Sequence, residues 1–229
     1  AKATVDNNTV IADSASIDAN SSKVAQAVSA GVSAGAGTLG GAASIVITEQ
    51  LGSTQSWLRG GTLTANSLNV ATDRRQEANV AAGAVGIGGS VGVGFGLAVN
   101  IIGGDSKALI GNDLIDGGDT RNTAVNVTGL TLDAQRLENV NSHAFGAGIS
   151  AGGGIAAMID VTEFRGETRA AIHGKLDGAG DSRTSIRGKD GLGAAASVTV
   201  SAQEILDARQ FALGIGVGAK VGIGAVANV

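Results

Sequence analysis

Three regularly spaced aspartates are the side chains of this chain best suited to metal chemistry. Asp113, Asp116 and Asp119 lie in the segment Gly111-Asn112-Asp113-Leu114-Ile115-Asp116-Gly117-Gly118-Asp119. Carboxylate and backbone carbonyl oxygens are the ligands that a hard cation such as Ca²⁺ prefers. The spacing therefore predicts a calcium site formed by Asp113, Asp116 and Asp119, and the sequence indicates no other metal or cofactor.

The same segment has a simpler interpretation. It reads like one unit of the glycine-rich nonapeptide that binds calcium, but such nonapeptides hold the ion between successive turns and occur in several copies. This segment stands alone, because Asp177 and Asp181 repeat only its second half. An Asp/Gly-rich turn, in which the same residues serve backbone conformation, is therefore the alternative to a calcium site.

Apparent catalytic motifs arise from the composition. The serine-hydrolase pattern G-x-S-x-G surrounds Ser33, Ser90 and Ser150, in a chain that contains 38 glycines. Its chemistry needs a sharp turn from a strand into a helix, whereas these serines are expected inside alternating strands. Asp160 and Glu163 are predicted on opposite faces of one strand, so they do not form the carboxylate pair of a glycosidase. We expect no enzyme, and a polysaccharide-acting β-helix enzyme is the least favoured class.

A repeated pattern must position these residues. Four segments align almost without gaps, and each runs from a polar alternating stretch into a long glycine-alternating one. Such repeats indicate a modular architecture in which one unit cannot bury its apolar face alone. We interpret residues 1–229 as a single repeat domain and a fragment of a longer chain, with approximate repeats 1–61, 62–118, 119–180 and 181–229. The aligned repeat starts are Ile17, Val70, Leu132 and Val200.

Alternation with a period of two predicts β-strands. In the second repeat one face carries Val85, Ile87, Val91 and Val93, and the other carries Gly86, Gly88, Gly92 and Gly94. A bare glycine face lets another layer approach closely. The charged residues of the polar half-repeats, Arg74-Arg75 with Glu77 and Arg136 with Glu138, are interpreted as solvated faces.

Each alternating run is longer than an ordinary strand, so it is expected to turn once near its middle. In the first repeat the alternation also changes phase, from Val28 and Val32 to Ile45 and Ile47, as a turn or bulge would require. The expected turns lie at Gly37-Thr38-Leu39-Gly40-Gly41, Gly88-Gly89, Gly152-Gly153-Gly154 and Gly218-Ala219-Lys220.

These patterns predict an all-β fold, a parallel β-solenoid (β-helix) built from about four imperfect repeats. The alternative is a stack of β-hairpins that forms a two-sheet sandwich. Hydrophobic residues make up 43% of the chain but aromatic residues only 2%. The core is therefore expected to consist of stacked Val, Ile and Leu ladders, with Ala, packed against glycine.

Charge and composition exclude several partners. The net charge of −4 provides no basic surface for nucleic acid. Residues 80–102 are uncharged, but their apolar positions recur with a period of two, so we expect no transmembrane segment. The absence of cysteine excludes a disulfide framework and a thiolate metal site.

The alternating repeats resemble those of a known group of proteins. The relevant segments are Ser90-Val91-Gly92-Val93, Ala98-Val99-Asn100, Lys107-Ala108-Leu109-Ile110-Gly111 and Ser197-Val198-Thr199-Val200-Ser201-Ala202. Over nearly the whole chain the pattern is similar to the glycine–valine repeats of large bacterial surface proteins, the filamentous-haemagglutinin-like and leukotoxin-like adhesins. The longer loops of this chain depart from a tight, uniform repeat.

The resemblance implies an extended parallel β-solenoid on an exported fibre, secreted or at the bacterial cell surface. The expected function is that of a structural rod or scaffold, which holds a binding region away from the cell. Its partners would be flanking repeats of the same chain, and a host or matrix surface. The alternative is a ligand- or matrix-binding module that acts through the acidic loops at 113–121 and 177–187.

Overall fold

The structure, a computed structural model, describes residues 1–112, 121–174, 183–191, 193, 195 and 197–229. All regular secondary structure in these residues is β-strand, which confirms the all-β prediction. The strands are β1 (Lys2–Ile11), β2 (Ser14–Gly35), β3 (Leu39–Gln50), β4 (Thr54–Gly88), β5 (Val91–Gly103), β6 (Ser106–Gly111), β7 (Thr123–Ser150), β8 (Gly153–Arg165), β9 (Thr168–His173), β10 (Thr184–Arg187), β11 (Ser197–Gly218) and β12 (Val221–Asn228).

The strands form two sheets, and every pairing between described strands is parallel. The larger sheet has the order β10-β7-β4-β6-β9, with β1 and β2 also paired to β4 and β11 to β7. The smaller sheet has the order β12-β8-β5-β3. The two arms of a hairpin would be antiparallel neighbours. The hairpin alternative is therefore wrong for these strands, since the two strands that flank each turn lie in different sheets.

The pairing register follows the sequence repeat. Ile17 pairs with Val70, Val70 with Leu132, and Leu132 with Val200, so the four aligned repeat starts are neighbours across the sheet. Equivalent residues of successive repeats lie one strand spacing apart, about 4.8 Å. A slip of one residue would move every glycine to the opposite face, so the alternation itself specifies this register.

The four predicted turns are confirmed. The chain reverses at 36–38, 89–90, 151–152 and 219–220, each time between a strand of the larger sheet and a strand of the smaller one. The first turn is one residue longer than the others. This extra residue explains the change of phase between Val28 and Ile45.

We call the part of the molecule next to these turns the arm. It contains residues 25–35, 78–88, 140–150 and 208–218 of the larger sheet, together with the smaller sheet. The glycine faces of the two sheets meet inside the arm, where Gly86 and Gly92 are buried and Val85 and Val93 point outward. A Cβ atom built on Gly86 would lie 1.9 Å from the carbonyl oxygen of Val93. The expectation that glycine permits close approach of a second layer is confirmed.

The branched apolar core lies in the remainder of the molecule, which we call the base. There β6, β9 and the first residues of β4 pack against the lower part of the long strands. Stacked ladders such as Leu63–Val125, Leu68–Leu130 and Val70–Leu132 are fully buried, as expected of a Val/Leu core. In the arm that expectation is wrong: the interior changes from Val80 and Val140 near the base to alanine and glycine near the turns, and most branched side chains face outward.

Candidate functional site

The predicted calcium ligands Asp113, Asp116 and Asp119 lie outside the described residues, so the calcium site stays a prediction. The residues that flank this segment are described. Asn112 is buried, and its side-chain amide donates to the carbonyl of Arg121 at 3.1 Å, so the two ends of the segment lie close together. Among the side chains that the structure describes, no group of three or more His, Asp or Glu could hold a metal ion.

The unique tryptophan packs beside this segment. Trp57 is only 6% exposed, and its indole N–H donates to the carbonyl of Gly111 at 2.6 Å. The guanidinium of Arg59 lies 4.7 Å from the ring centroid and also pairs with Asp6 at 3.0 Å. These contacts hold the start of the acidic segment against the base.

The serine motifs do not assemble a catalytic group. Ser150 is the last residue of β7, and its hydroxyl donates to the carbonyl of Gly153 at 2.7 Å. His143 lies on the same strand, about 23 Å away in extended backbone, beside Phe211 on the outer surface. Ser33 lies within β2, but the expectation of a strand position is wrong for Ser90, which occupies the turn after β4.

Asp160 and Glu163 lie on opposite faces of β8, as predicted. Asp160 is fully buried inside the arm, whereas the Glu163 side chain is 49% exposed. Glu163 pairs with Arg165 through contacts of 2.6 and 2.7 Å. The two carboxylates therefore do not face a common cleft.

A cluster of buried charges lies where the base meets the arm. We call it the neck cluster, and it consists of Arg74, Arg136 and Glu138, whose side chains are 1%, 1% and 0% exposed. Arg136 binds the Glu138 carboxylate through two contacts, of 2.8 Å from Nε and 2.6 Å from Nη2. Arg74 Nη1 donates to Glu138 Oε1 at 2.6 Å. One carboxylate thus bridges two guanidinium groups that are adjacent in the β4–β7 ladder.

The neck arginines also bind the backbone at the ends of the return strands. Arg74 donates to the carbonyls of Gly103 and Gly104, the second at 2.9 Å, and Arg136 donates to the carbonyl of Arg165 at 2.6 Å. In the first repeat Lys23 reaches the carbonyl of Leu51 at 2.5 Å. The two buried arginines therefore cross the interior, and the exposed Lys23 reaches the equivalent place at the open end of the stack; each binds the corner at which the chain passes from the smaller sheet to the next strand of the larger one.

The interpretation of these charges as solvated faces is wrong for the neck cluster, although Arg75 is exposed. The alternation could have predicted the burial of these arginines, because residues an even number of positions apart share one face of a strand. Arg74 shares a face with the inward-facing Ala78 and Val80, and Arg136 with Val140. Burial lowers the pKa of the Arg74 guanidinium, and the carboxylate of Glu138 opposes this change. The cluster has the chemistry of a structural clamp, with its donors directed at backbone carbonyls.

A second buried polar group lies inside the arm. Asn100 Nδ2 donates to Ser142 Oγ at 2.9 Å, and Ser142 Oγ donates to Asp160 Oδ1 at 2.7 Å. The oxygens Asp160 Oδ2 and Asn100 Oδ1 are buried and have no hydrogen-bond partner among the described atoms. Burial raises the pKa of the Asp160 carboxyl, against the effect of the Ser142 hydrogen bond. Burial disfavours the charged form of this carboxyl relative to the unfolded chain, and a protonated carboxyl would add a hydrogen-bond donor.

We expect the Asp160→Asn variant to be more stable than the original chain at neutral pH. The folded pKa of Asp160 is raised, so its favourable contribution is complete below the unfolded value of about 3.9 and is lost as pH rises through the folded value. The advantage of asparagine should grow as the pH rises from about 3.9 through the folded value, by about 1.4 kcal/mol for each unit by which the pKa is raised. Urea unfolding at several pH values measures it.

Asp207→Asn is the control for this prediction, because it removes a carboxylate from the exposed outer surface of β11. A stability difference at Asp160 that is the same at every pH, or no larger than that at Asp207, would contradict a raised pKa of the buried carboxyl.

Comparison with known proteins adds no family to this description: no family model, no curated protein and no solved structure matches the chain. The described residues contain no helix, and hence none long and apolar enough to cross a membrane. The fold defines an all-β protein of two facing parallel sheets. The likeness to adhesin repeats rests on the sequence pattern.

Proposed function

We propose that this chain is a structural rod module of an exported bacterial surface adhesin, built as a parallel β-solenoid of about four coils. The observation that carries the proposal is the register. Because Ile17, Val70, Leu132 and Val200 stack in one ladder, each repeat adds one strand to each sheet in the same direction. Growth along a single axis is what a spacer between a cell and a distant binding region requires.

The two ends of the stack support flanking repeats as partners. Among the described strands, β2 and β3 at one end and β11 and β12 at the other each pair on one side only. Val198 and Val200 of β11 are 48% and 47% exposed, whereas their ladder neighbours Leu130 and Leu132 are buried. A further repeat in the same register would cover these side chains and the unpaired backbone groups of β11.

The alternative proposal is a ligand- or matrix-binding module acting through the acidic loops at 113–121 and 177–187. Most of these residues lie outside the described part of the chain, so this alternative stays a prediction. A polysaccharide-acting enzyme is less favoured, because Asp160 is fully buried inside the arm while Glu163 pairs with Arg165 on the opposite face of β8.

A tandem protein tests the rod proposal. Val229 is in register with Ile47, and Ala1 with Thr54, so the sequence of residues 48–53 is the natural connector between two copies. We expect the copies to stack, which would extend the particle along the stacking axis by about 19 Å, four strand spacings. The tandem should also unfold in one transition at a higher temperature than a single copy. Small-angle X-ray scattering and calorimetry measure both.

Val200→Lys in the first copy is the matched control. In a single copy Val200 is at the open end, so lysine should change little, but in the tandem it would be buried at the junction. Two independently tumbling particles with an unchanged melting temperature, whatever residue occupies position 200, would contradict the rod proposal.

A further inference from the structure

We propose that a second copy of this chain packs against the outer face of the smaller sheet. This face, which we call the outer apolar face, consists of the outward-pointing residues between the turns and the ladder Ile47–Val99–Val161. All of them are apolar: Leu39, Gly41, Ala43, Ile45 and Ile47 on β3; Val91, Val93, Phe95, Leu97 and Val99 on β5; Gly153, Ile155, Ala157, Ile159 and Val161 on β8; and Val221, Ile223, Ala225, Ala227 and Val229 along and just after β12.

These side chains are most accessible on the edge strands β3 and β12, and those of the central strand β5 are half-buried. Ile45 and Ile47 are 56% and 67% exposed, and Val221 and Ile223 at the other end of the face are 53% and 50% exposed. The first charged side chains on this side of the sheet, Glu49 and Glu163, appear only after the ladder that contains Val99. The glycine interior causes this arrangement, since two sheets in contact through glycine leave their branched side chains on the outside.

The area of the outer apolar face is large enough for a specific dimer. Four strands about 4.8 Å apart and nine residues rising about 3.3 Å each give about 19 Å by 30 Å, or about 570 Å². Monomeric proteins rarely leave a contiguous apolar patch larger than a few hundred Å². Two such faces in contact would bury about 1,100 Å², which exceeds the approximately 1,000 Å² expected of a biological interface.

The chemistry of the face favours a second copy as its occupant. The face contains no charge, so two copies related by a two-fold axis meet without like-charge contact. Facing sheets pack through their side chains, which leaves the unpaired N–H and C=O groups of β3 and β12 in water. A lipid environment would surround those open edges, and unsatisfied backbone groups are excluded from hydrocarbon.

The outer surface of the larger sheet is less suited to self-association. It carries His143 within its apolar part, and the next ladder toward the base contains Asn79, Asn141 and Arg209. The outer apolar face instead has Phe95 near its centre, with the small neighbours Ala43 and Ala157 on either side. A central aromatic side chain flanked by small residues is a typical interface anchor.

Phe95→Lys tests the proposal, with Phe145→Lys as the matched control. Both phenylalanines point outward from the arm, Phe95 on the smaller sheet and Phe145 on the larger. Sedimentation over a range of concentrations should show a dimer of the original chain. Phe95→Lys should weaken the dimer at least tenfold and Phe145→Lys should not, while circular dichroism shows that both variants keep the β fold.

A second measurement uses the absence of cysteine. A single cysteine at Ala157 should react with a maleimide more slowly at dimer-forming concentrations, and one at Ala30, on the other outer surface, should not. A chain that remains monomeric at all concentrations overturns the proposal. So does a dimer that resists Phe95→Lys and is lost with Phe145→Lys or Val200→Lys, since it uses another surface. A monomer that binds neutral phosphatidylcholine vesicles through Phe95 also overturns it, because lipid is then the occupant.

Discussion

Gly86→Ala is expected to destabilise the arm severely, whereas Gly83→Ala, three residues earlier on the same strand, should leave it intact. The Cβ of alanine 86 would lie 1.9 Å from the carbonyl oxygen of Val93 and 2.6 Å from its carbonyl carbon. These are backbone atoms of the facing sheet, so no side-chain rotation relieves the contact. The sheets would have to separate and lose their dry contact, at a cost of about 3 kcal/mol, the upper part of the range for overpacking.

Gly83 isolates the steric cause, because it faces outward and a Cβ there meets nothing within 4 Å. Neither glycine has a positive φ, so backbone conformation does not distinguish them. Alanine at 83 should be neutral or stabilising by up to about 1 kcal/mol, since it restricts the unfolded chain more than glycine does. Urea unfolding of both variants measures the difference. Equal effects at the two positions would show that the glycine contact does not determine the stability of the arm.

The first repeat has a serine where the others have this glycine. Ser33 is in register with Gly86, and Gly86 with Gly148. The turn that follows Ser33 is also one residue longer than the turn after Gly86. The facing strand stays close on either side of Ser33, since a Cβ built on Gly31 or Gly35 would lie 2.5 Å from the carbonyl oxygen of Ala43 or Leu39.

The strands, the four turns and the register could be predicted from the sequence because each is encoded locally. Alternation predicts a strand, and a glycine-containing break in the alternation predicts a turn. The four repeats align in sequence because their equivalent residues stack in the sheets. Alternation identifies two faces, however, without stating which is inside. The usual preference for buried branched residues holds at Leu68 and Val70 in the base. It fails at Val85 and Val93, because the backbones of the two sheets approach too closely there for a side chain at Gly86 or Gly92.

Parity alone places the arginines of the neck cluster on the inward face, but it does not reveal their partners Gly103, Gly104 and Arg165, which are distant in sequence. Arg74 looks like a surface residue until the carbonyls of Gly103 and Gly104 are placed beside it by the return strand. The same holds for Asp160, whose contact with Ser142 depends on two sheets meeting. The calcium prediction concerned loop residues whose spacing is informative only if the loop geometry is known.

Glu138→Gln should be among the most destabilising single substitutions in this chain, with an expected loss of about 3 to 5 kcal/mol. The change keeps the size of the side chain but removes the buried carboxylate that contacts both Arg74 and Arg136. Two guanidinium groups, each 1% exposed, would then lie side by side without compensation. The backbone carbonyls that they bind supply partial charge only, and Glu204 is 3.5 Å from Arg136 on one side.

Glu163→Gln is the matched control, because the Glu163–Arg165 pair has the same spacing along the strand and the same two-contact geometry, but at the surface. Solvent screens that pair, so its loss should change stability little.

The triple variant Arg74→Met, Arg136→Met, Glu138→Leu distinguishes two quantities. One is the net contribution of the neck cluster to the free energy of unfolding, and the other is the loss caused by leaving two buried arginines without their carboxylate. Replacement of all three charges by apolar groups should recover most of the stability lost in Glu138→Gln. The attraction within a buried ion pair is only about as large as the free-energy cost of removing its charges from water. If the triple variant is as unstable as Glu138→Gln, the bonds from the arginines to the corner carbonyls, and not the charge balance, hold the arm to the base. Unfolding in urea at pH 7 decides between these two outcomes.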